Sequence, residues 1–180
     1  MQTLVVSFYG GPGSGKSTMS AHVFALLKWD NWNVEIASEY AKDKVWENST
    51  HVLENQEYVF GKQYKRIKQL DGQVQIILTD GPLLHSLIYA DQDDYMLKSL
   101  VMDRYRQFNN FDIFVERDKK YNPAGRSQTL DEAKALDEEI KGTLLKHDVD
   151  LRYIKGRADD AKFISEKIKQ RYWLLAPSQG

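Results

Sequence analysis

Leu4-Val-Val-Ser-Phe-Tyr9 runs directly into Gly10-Gly-Pro-Gly-Ser-Gly15-Lys16-Ser17-Thr18, and the residues that follow carry Met19, Val23, Leu26 and Leu27 on one face of a helix. An apolar strand, a glycine loop and an amphipathic helix, in that order, give the pattern G-x-x-x-x-G-K-[ST] the setting its chemistry requires. The glycines let successive backbone N–H groups turn inward onto phosphate oxygens, and a helix opening near Lys16 adds the positive end of its dipole. Gly11, Pro12, Gly13, Ser14, Gly15, Lys16, Ser17 and Thr18 are therefore the expected phosphate-binding residues. Lys16 is expected to bridge the β- and γ-phosphates of ATP, and Ser17 to give its hydroxyl to Mg²⁺, which prefers oxygen ligands.

Outward from that loop, further short apolar runs recur at Val34–Ala37, Val74–Thr79, Ile113–Val115 and Leu151–Ile154. Their near-continuous hydrophobicity is that of parallel strands buried on both faces. Helical stripes lie between and after them: Leu130, Ala133, Leu136, Ile140 and Leu144 form one, and Ala161, Ile164, Ile168 and Tyr172 another. Thr129 with Glu132 three residues on is a capping-box pattern, so a helix is expected to start there and 118–128 to be a loop. Strands alternating with helices predict an α/β fold of the P-loop NTPase kind, a five-stranded, mostly parallel sheet with helices on both faces. With 180 residues, of which 42% are hydrophobic, one core suffices. A single domain is expected over 1–175, with 176–180 a flexible tail.

Composition removes several alternatives. Twenty-five basic and 26 acidic side chains nearly cancel, so net charge demands neither a nucleic acid nor a membrane. The absence of cysteine excludes disulfides and thiolate-bound metals. The first apolar run is too short for a signal peptide or a membrane span, and a cytoplasmic protein is expected.

Two carboxylates end strands at the edge where such folds bind ligands. Asp80 follows Val74–Thr79 and is expected to reach the magnesium shell, beside Ser17. Glu39 follows Val34–Ala37 and is expected to take the proton of an acceptor hydroxyl, although the two roles could be exchanged. After the fourth strand, 116–127 combines Arg117, Lys119, Lys120 and Arg126 with Pro123 and Gly125, which reads as a mobile lid loop. Arg126 and Arg117 are its candidates for stabilising the charge that phosphoryl transfer spreads over the equatorial oxygens.

For the acceptor, Tyr40, Trp46, Tyr58, Phe60 and Tyr64, with Gln56 and Gln63, form a stretch able to stack on a flat ring and pair with its edge. Helical aromatics also serve as ordinary core. His85 reads as a structural histidine on the helix after Asp80, and Lys62, Lys65, Arg66 and Lys68 as a solvated basic face. A guanine-reading Asn-Lys-x-Asp element is missing, which argues against a GTPase.

With the phosphate loop, Glu39-Tyr40-Ala41, Thr79-Asp80-Gly81-Pro82 and Gly125-Arg126 in hand, the chain resembles small phage-type P-loop kinases related to bacterial ribosylnicotinamide kinases. The resemblance implies an ATP- and Mg²⁺-dependent kinase acting on a nucleoside, a nucleotide or a similar acceptor. Its alternative acceptor is DNA carrying 5-hydroxymethyluracil, phosphorylated on the base hydroxymethyl group. A P-loop ATPase coupled to a protein partner is the reading from another class. The resemblance also puts the adenine site near Lys155, Gly156 and Arg157. Where nucleoside kinases have Asp-Arg-Ser or Glu-Arg-Ser, this chain has Asp80-Gly81-Pro82, so their base contacts do not carry over.

Overall fold

The computed structural model describes residues 2–118 and 129–175. Arg126, most of the expected lid and the expected tail lie outside them.

The five strands of the described sheet are β1 (Leu4–Tyr9), β2 (Val34–Ala37), β3 (Ile76–Thr79), β4 (Asn109–Val115) and β5 (Leu151–Ile154). They stand in the order β2-β3-β1-β4-β5, and every neighbouring pair is parallel. The expectation of a mostly parallel sheet thus becomes an all-parallel one among the described residues. β1 is central and buried along its whole length, which is why it reads as an unbroken apolar run. Among the described residues no helix is long and apolar enough to cross a membrane.

Alternate strand residues feed two cores, one on each face. Leu4, Val6, Phe8, Leu78 and Ile113 pack against α1 (Lys16–Trp29) and α7 (Ala158–Leu175), through Met19, Val23, Leu27, Ile164 and Ile168. Val5, Ile77 and Phe114 face the other way. They meet Phe60 and Ile67 of α3 (Gln56–Lys68), Leu97 and Val101 of α5 (Tyr95–Arg106), and Ile140 and Leu144 of α6 (Leu130–Lys146). Two shorter helices, α2 (Tyr40–Trp46) and α4 (Ser86–Tyr89), follow β2 and β3 at the ligand edge.

Some boundaries differ from the sequence expectation, each for a local reason. The third strand begins at Ile76, because the Val74 amide closes the turn after α3 on the Leu70 carbonyl. β4 begins at Asn109, four residues earlier than its apolar run, since polar residues in it are satisfied in place. Asn110 donates to Tyr105 and Phe108 carbonyls, and Asp112 accepts from the Tyr105 hydroxyl at 2.6 Å. His85 closes a 3₁₀ turn ahead of α4 instead of lying on a helix with Tyr89. The capping box at α6 forms as expected: the Glu132 amide donates to Thr129 Oγ1 and the Thr129 amide to Glu132 Oε2. Leu130, expected on the buried stripe, is exposed at the helix start, whereas Asp137 is buried within that stripe.

Candidate active site

Gly10, Gly13 and Gly15 have φ of 134°, 79° and 110°, which folds the chain between β1 and α1 into a compact loop. Gly15 caps α1 without a side-chain hydrogen bond. The first intrahelical bond runs from the Met19 amide to the Gly15 carbonyl at 2.9 Å. The amides of Lys16, Ser17 and Thr18 therefore belong to the unpaired first turn, where an anion is the natural partner. Lys16 Nζ folds back over the loop and donates to the Gly10 and Gly11 carbonyls at 2.6 and 3.1 Å. Burial lowers its pKa, and the charges of Glu39, Asp80 and Asp137 oppose that shift.

The parallel register Ala37↔Thr79 brings the ends of β2 and β3 level, so the residues that follow leave the sheet side by side. Thr79 Oγ1 fastens the junction, donating to the Ala37 carbonyl at 2.7 Å and accepting from the Gly81 amide at 3.1 Å. Asp80 is buried, and its two carboxylate oxygens point to different elements. Oδ2 accepts from the Ser17 hydroxyl at 2.6 Å and Oδ1 from the Glu39 amide at 3.1 Å. Gly81 is required by closeness, since a Cβ there would lie 2.8 Å from Glu39 Cα. Burial pushes the Glu39 carboxyl above its usual pKa; Lys16 pulls it back and Asp80 pushes it further up. The sequence-derived group Lys16, Ser17, Glu39 and Asp80 is thus assembled at one rim.

His85 is held close by. Its ring stands edge-on to Tyr9, with centroids 5.6 Å apart. Burial, aided by the Lys16 charge, lowers its pKa to about 3, so the imidazole is neutral. Its Nε2 is buried without a hydrogen-bond partner among the described residues, so packing and not a satisfied polar contact holds the ring.

The expected acceptor stretch divides into unlike parts. Gln63 is buried; its carbonyl oxygen accepts from the Tyr40 amide at 2.9 Å and its amide nitrogen donates to Thr79 Oγ1 at 3.4 Å. That side chain is engaged in the fold. Gln56 likewise donates to the Leu53 carbonyl. Phe60 is core, Tyr64 packs against Phe60 and Phe108, and Trp46 is 74% exposed. Of the basic face, Arg66 pairs with Asp43 and bonds Ser38, and Lys68 pairs with Asp71.

Arg117 does not stand as an arm awaiting closure. It is tied beneath the phosphate loop, with Nη1 donating to the Pro12 carbonyl at 2.8 Å and Nη2 within 3.0 Å of Asp137 Oδ2. Asp137 was not among the expected site residues, yet its Oδ1 accepts from the Gly11 amide at 2.5 Å. Beside this pair, a cavity of about 550 Å³ is lined by Phe114, Arg117, Asp118, Lys134, Lys141 and Lys155. Of the loop where the adenine site was expected, Lys155 lines that cavity and Gly156 lies against Val115 and the Ser14 carbonyl. Arg157 is paired with Asp118 at 2.7 Å.

Comparison with known proteins agrees with this architecture. The AAA domain family matches residues 5–160. Among solved structures, the crystal structure of APE1195 has 16% identity and a TM-score of 0.51, over 94% of this chain and 96% of that one. The shikimate kinase from Aquifex aeolicus has 17% identity and a TM-score of 0.50, over 93% and 95%. At such identities the likeness is one of fold, the P-loop α/β fold with an all-parallel five-stranded sheet. No curated protein matches the chain.

Proposed function

The chain belongs to the AAA domain family, and on that premise we propose that it is an ATP- and Mg²⁺-dependent kinase whose acceptor is a nucleoside, a nucleotide or a related hydroxyl compound. The observation that carries this reading is that Asp80 accepts from the Ser17 hydroxyl and the Glu39 amide while the Glu39 carboxyl interacts with Lys16, which sets two carboxylates beside the phosphate loop. A loop built only to bind nucleotide needs no second carboxylate there.

The donor set suits magnesium. Ser17 Oγ and an Asp80 carboxylate oxygen are hard oxygen ligands 2.6 Å apart, and two protein ligands suffice for an ion that keeps several waters. When bound, Mg²⁺ neutralises charge on the β- and γ-phosphate oxygens. With Asp80 committed to Ser17, Glu39 is the base. The acceptor oxygen attacks the γ-phosphorus, the bond to the bridging oxygen breaks, ADP leaves, and the hydroxyl proton goes to the Glu39 carboxylate. Lys16 leaves its loop carbonyls for the β- and γ-oxygens. Arg126 is proposed to add positive charge from the loop before α6.

The test is transfer of label from γ-labelled ATP to nucleosides, nucleoside monophosphates, ribosylnicotinamide and duplex DNA with or without 5-hydroxymethyluracil, with Lys16→Ala as control. Label in a small molecule, lost in the control, is the expected result. Label in modified DNA alone would make the DNA base the acceptor. ATP consumption with no labelled acceptor would replace the kinase reading with an ATPase coupled to a partner.

A further inference from the structure

Asp137 occupies a position that sequence periodicity reserves for an apolar residue. Ala133, Ile140 and Leu144 flank it on the buried stripe of α6, and Asp137 itself is 6% exposed. Burying a carboxylate on such a stripe is costly unless it is paired and hydrogen-bonded. Its partners all lead away from the core and onto the phosphate loop. One oxygen accepts from the Gly11 amide at 2.5 Å, and the other accepts from Arg117 Nε at 3.1 Å. Arg117 continues the chain of contacts to the Pro12 carbonyl at 2.8 Å and the Ala133 carbonyl at 3.4 Å. The two side chains are each 9% exposed.

The backbone has been shaped to the same contact. A Cβ at Gly11 would lie 2.8 Å from Asp137 Oδ1 and 2.9 Å from the Ala133 carbonyl, so α6 sits against the loop as closely as glycine permits. Gly11 and Pro12 form the outer turn of the loop, opposite the first turn of α1. Pro12 has no N–H of its own, and with the Gly11 carbonyl taken by the Ser14 amide and Lys16, the Gly11 amide and the Pro12 carbonyl are the groups of that turn that reach α6 and Arg117.

Resting on the donor-site reading above, we infer that Asp137 is a positioning residue, which with Arg117 clamps the outer turn of the phosphate loop to α6 and keeps the loop in its nucleotide-binding shape. The clamp touches no reacting atom. It acts on donor binding, through the loop, and leaves acceptor binding alone.

Binding of Mg-ATP to the full chain without acceptor, measured by titration calorimetry, tests this with Asp137→Ala and Asp137→Asn. Asp137→Ala is expected to weaken ATP binding about tenfold, as loss of a hydrogen bond to a charged group does. Asp137→Asn keeps an acceptor oxygen for the Gly11 amide and is expected to recover part of that loss. In turnover, KM for ATP should rise more than kcat falls, with KM for the acceptor unchanged. The Gly11 amide proton, expected downfield in wild type because its partner is a carboxylate, should move upfield in both variants while the rest of the spectrum stays that of the folded chain; this readout reports the contact itself. ATP affinity equal to wild type in Asp137→Ala, or an unmoved Gly11 resonance in either variant, would overturn the clamp while leaving the donor site standing. Failure of the wild-type chain to bind ATP would instead remove the donor site, and the clamp with it.

Discussion

As the proposed base, Glu39 has to satisfy two opposed demands: it works ionised, and its burial resists ionisation. Burial raises its pKa while Lys16 beside it favours the charged form. Because the base works as a carboxylate, kcat/KM should fall as pH drops through this raised pKa, placing the acid limb above that of an ordinary glutamate. Glu39→Gln should lower kcat by roughly 10²- to 10⁴-fold, the usual size of a general-base contribution. The same shift has a stability consequence of fixed sign. A carboxyl with a raised folded-state pKa stabilises below its unfolded pKa and loses that contribution as pH rises through the folded value. Glu39→Gln should therefore melt higher than wild type at neutral pH, and the two curves should converge in acid. Equal melting temperatures at pH 7 would mean that Glu39 is not desolvated. Glu39 and Asp80 were legible in the sequence because each follows an apolar run, and strand ends in this fold face the ligand. Asp137 was not legible, since a polar residue in a helical pattern reads as an outward position until the neighbour that needs it is known. The anchoring of Arg117 was not legible for the same reason: its sequence neighbours are loop cations, but its spatial neighbour is a buried carboxylate.

At the level of elements, α6 carries unusual weight, since the capping box starts it and the clamp fixes its third turn to the phosphate loop. Thr129 and Glu132 each satisfy an amide of the other at that start. Thr129→Ala should cost about 1 kcal/mol, seen as a lower urea midpoint with an unchanged slope. An altered slope would mean that more than the cap had been lost. This start was readable from two residues, because capping is a local device with a fixed spacing. β4 was read short by comparison. Asn110 and Asp112 find partners in α5 and in the turn after it, and Asn109 donates to the Thr3 carbonyl; such pairing is invisible in a hydropathy pattern. The aromatic stretch between Glu39 and Asp80 was read as part acceptor surface and part core without saying which residue was which, and it divides into core, exposed ring and fold-holding amide. Only the packing of α2 and α3 against the sheet decides which residue is which.

Across the whole molecule, the sheet separates two cores that share strands and little else. Ile77 faces one and Ile164 the other. Each change to alanine should cost about 2–5 kcal/mol, and the double variant should show the sum to within about 0.5 kcal/mol. A large departure from additivity in denaturant titrations would mean that the sheet transmits repacking from face to face. The strand order also governs the history of the chain. Leu4 pairs with Ile76 on one side and Asn109 on the other, so β1 has no neighbour until β3 has been synthesised, and its other edge stays open until β4 follows. β1 is apolar on both sides and leads into the phosphate loop, so during synthesis a sticky segment emerges ahead of both strands that will cover its edges. A fragment ending before β4 would carry the entire phosphate loop with one edge of its central strand open. On the ribosome the phosphate loop is thus written before the strands that enclose it.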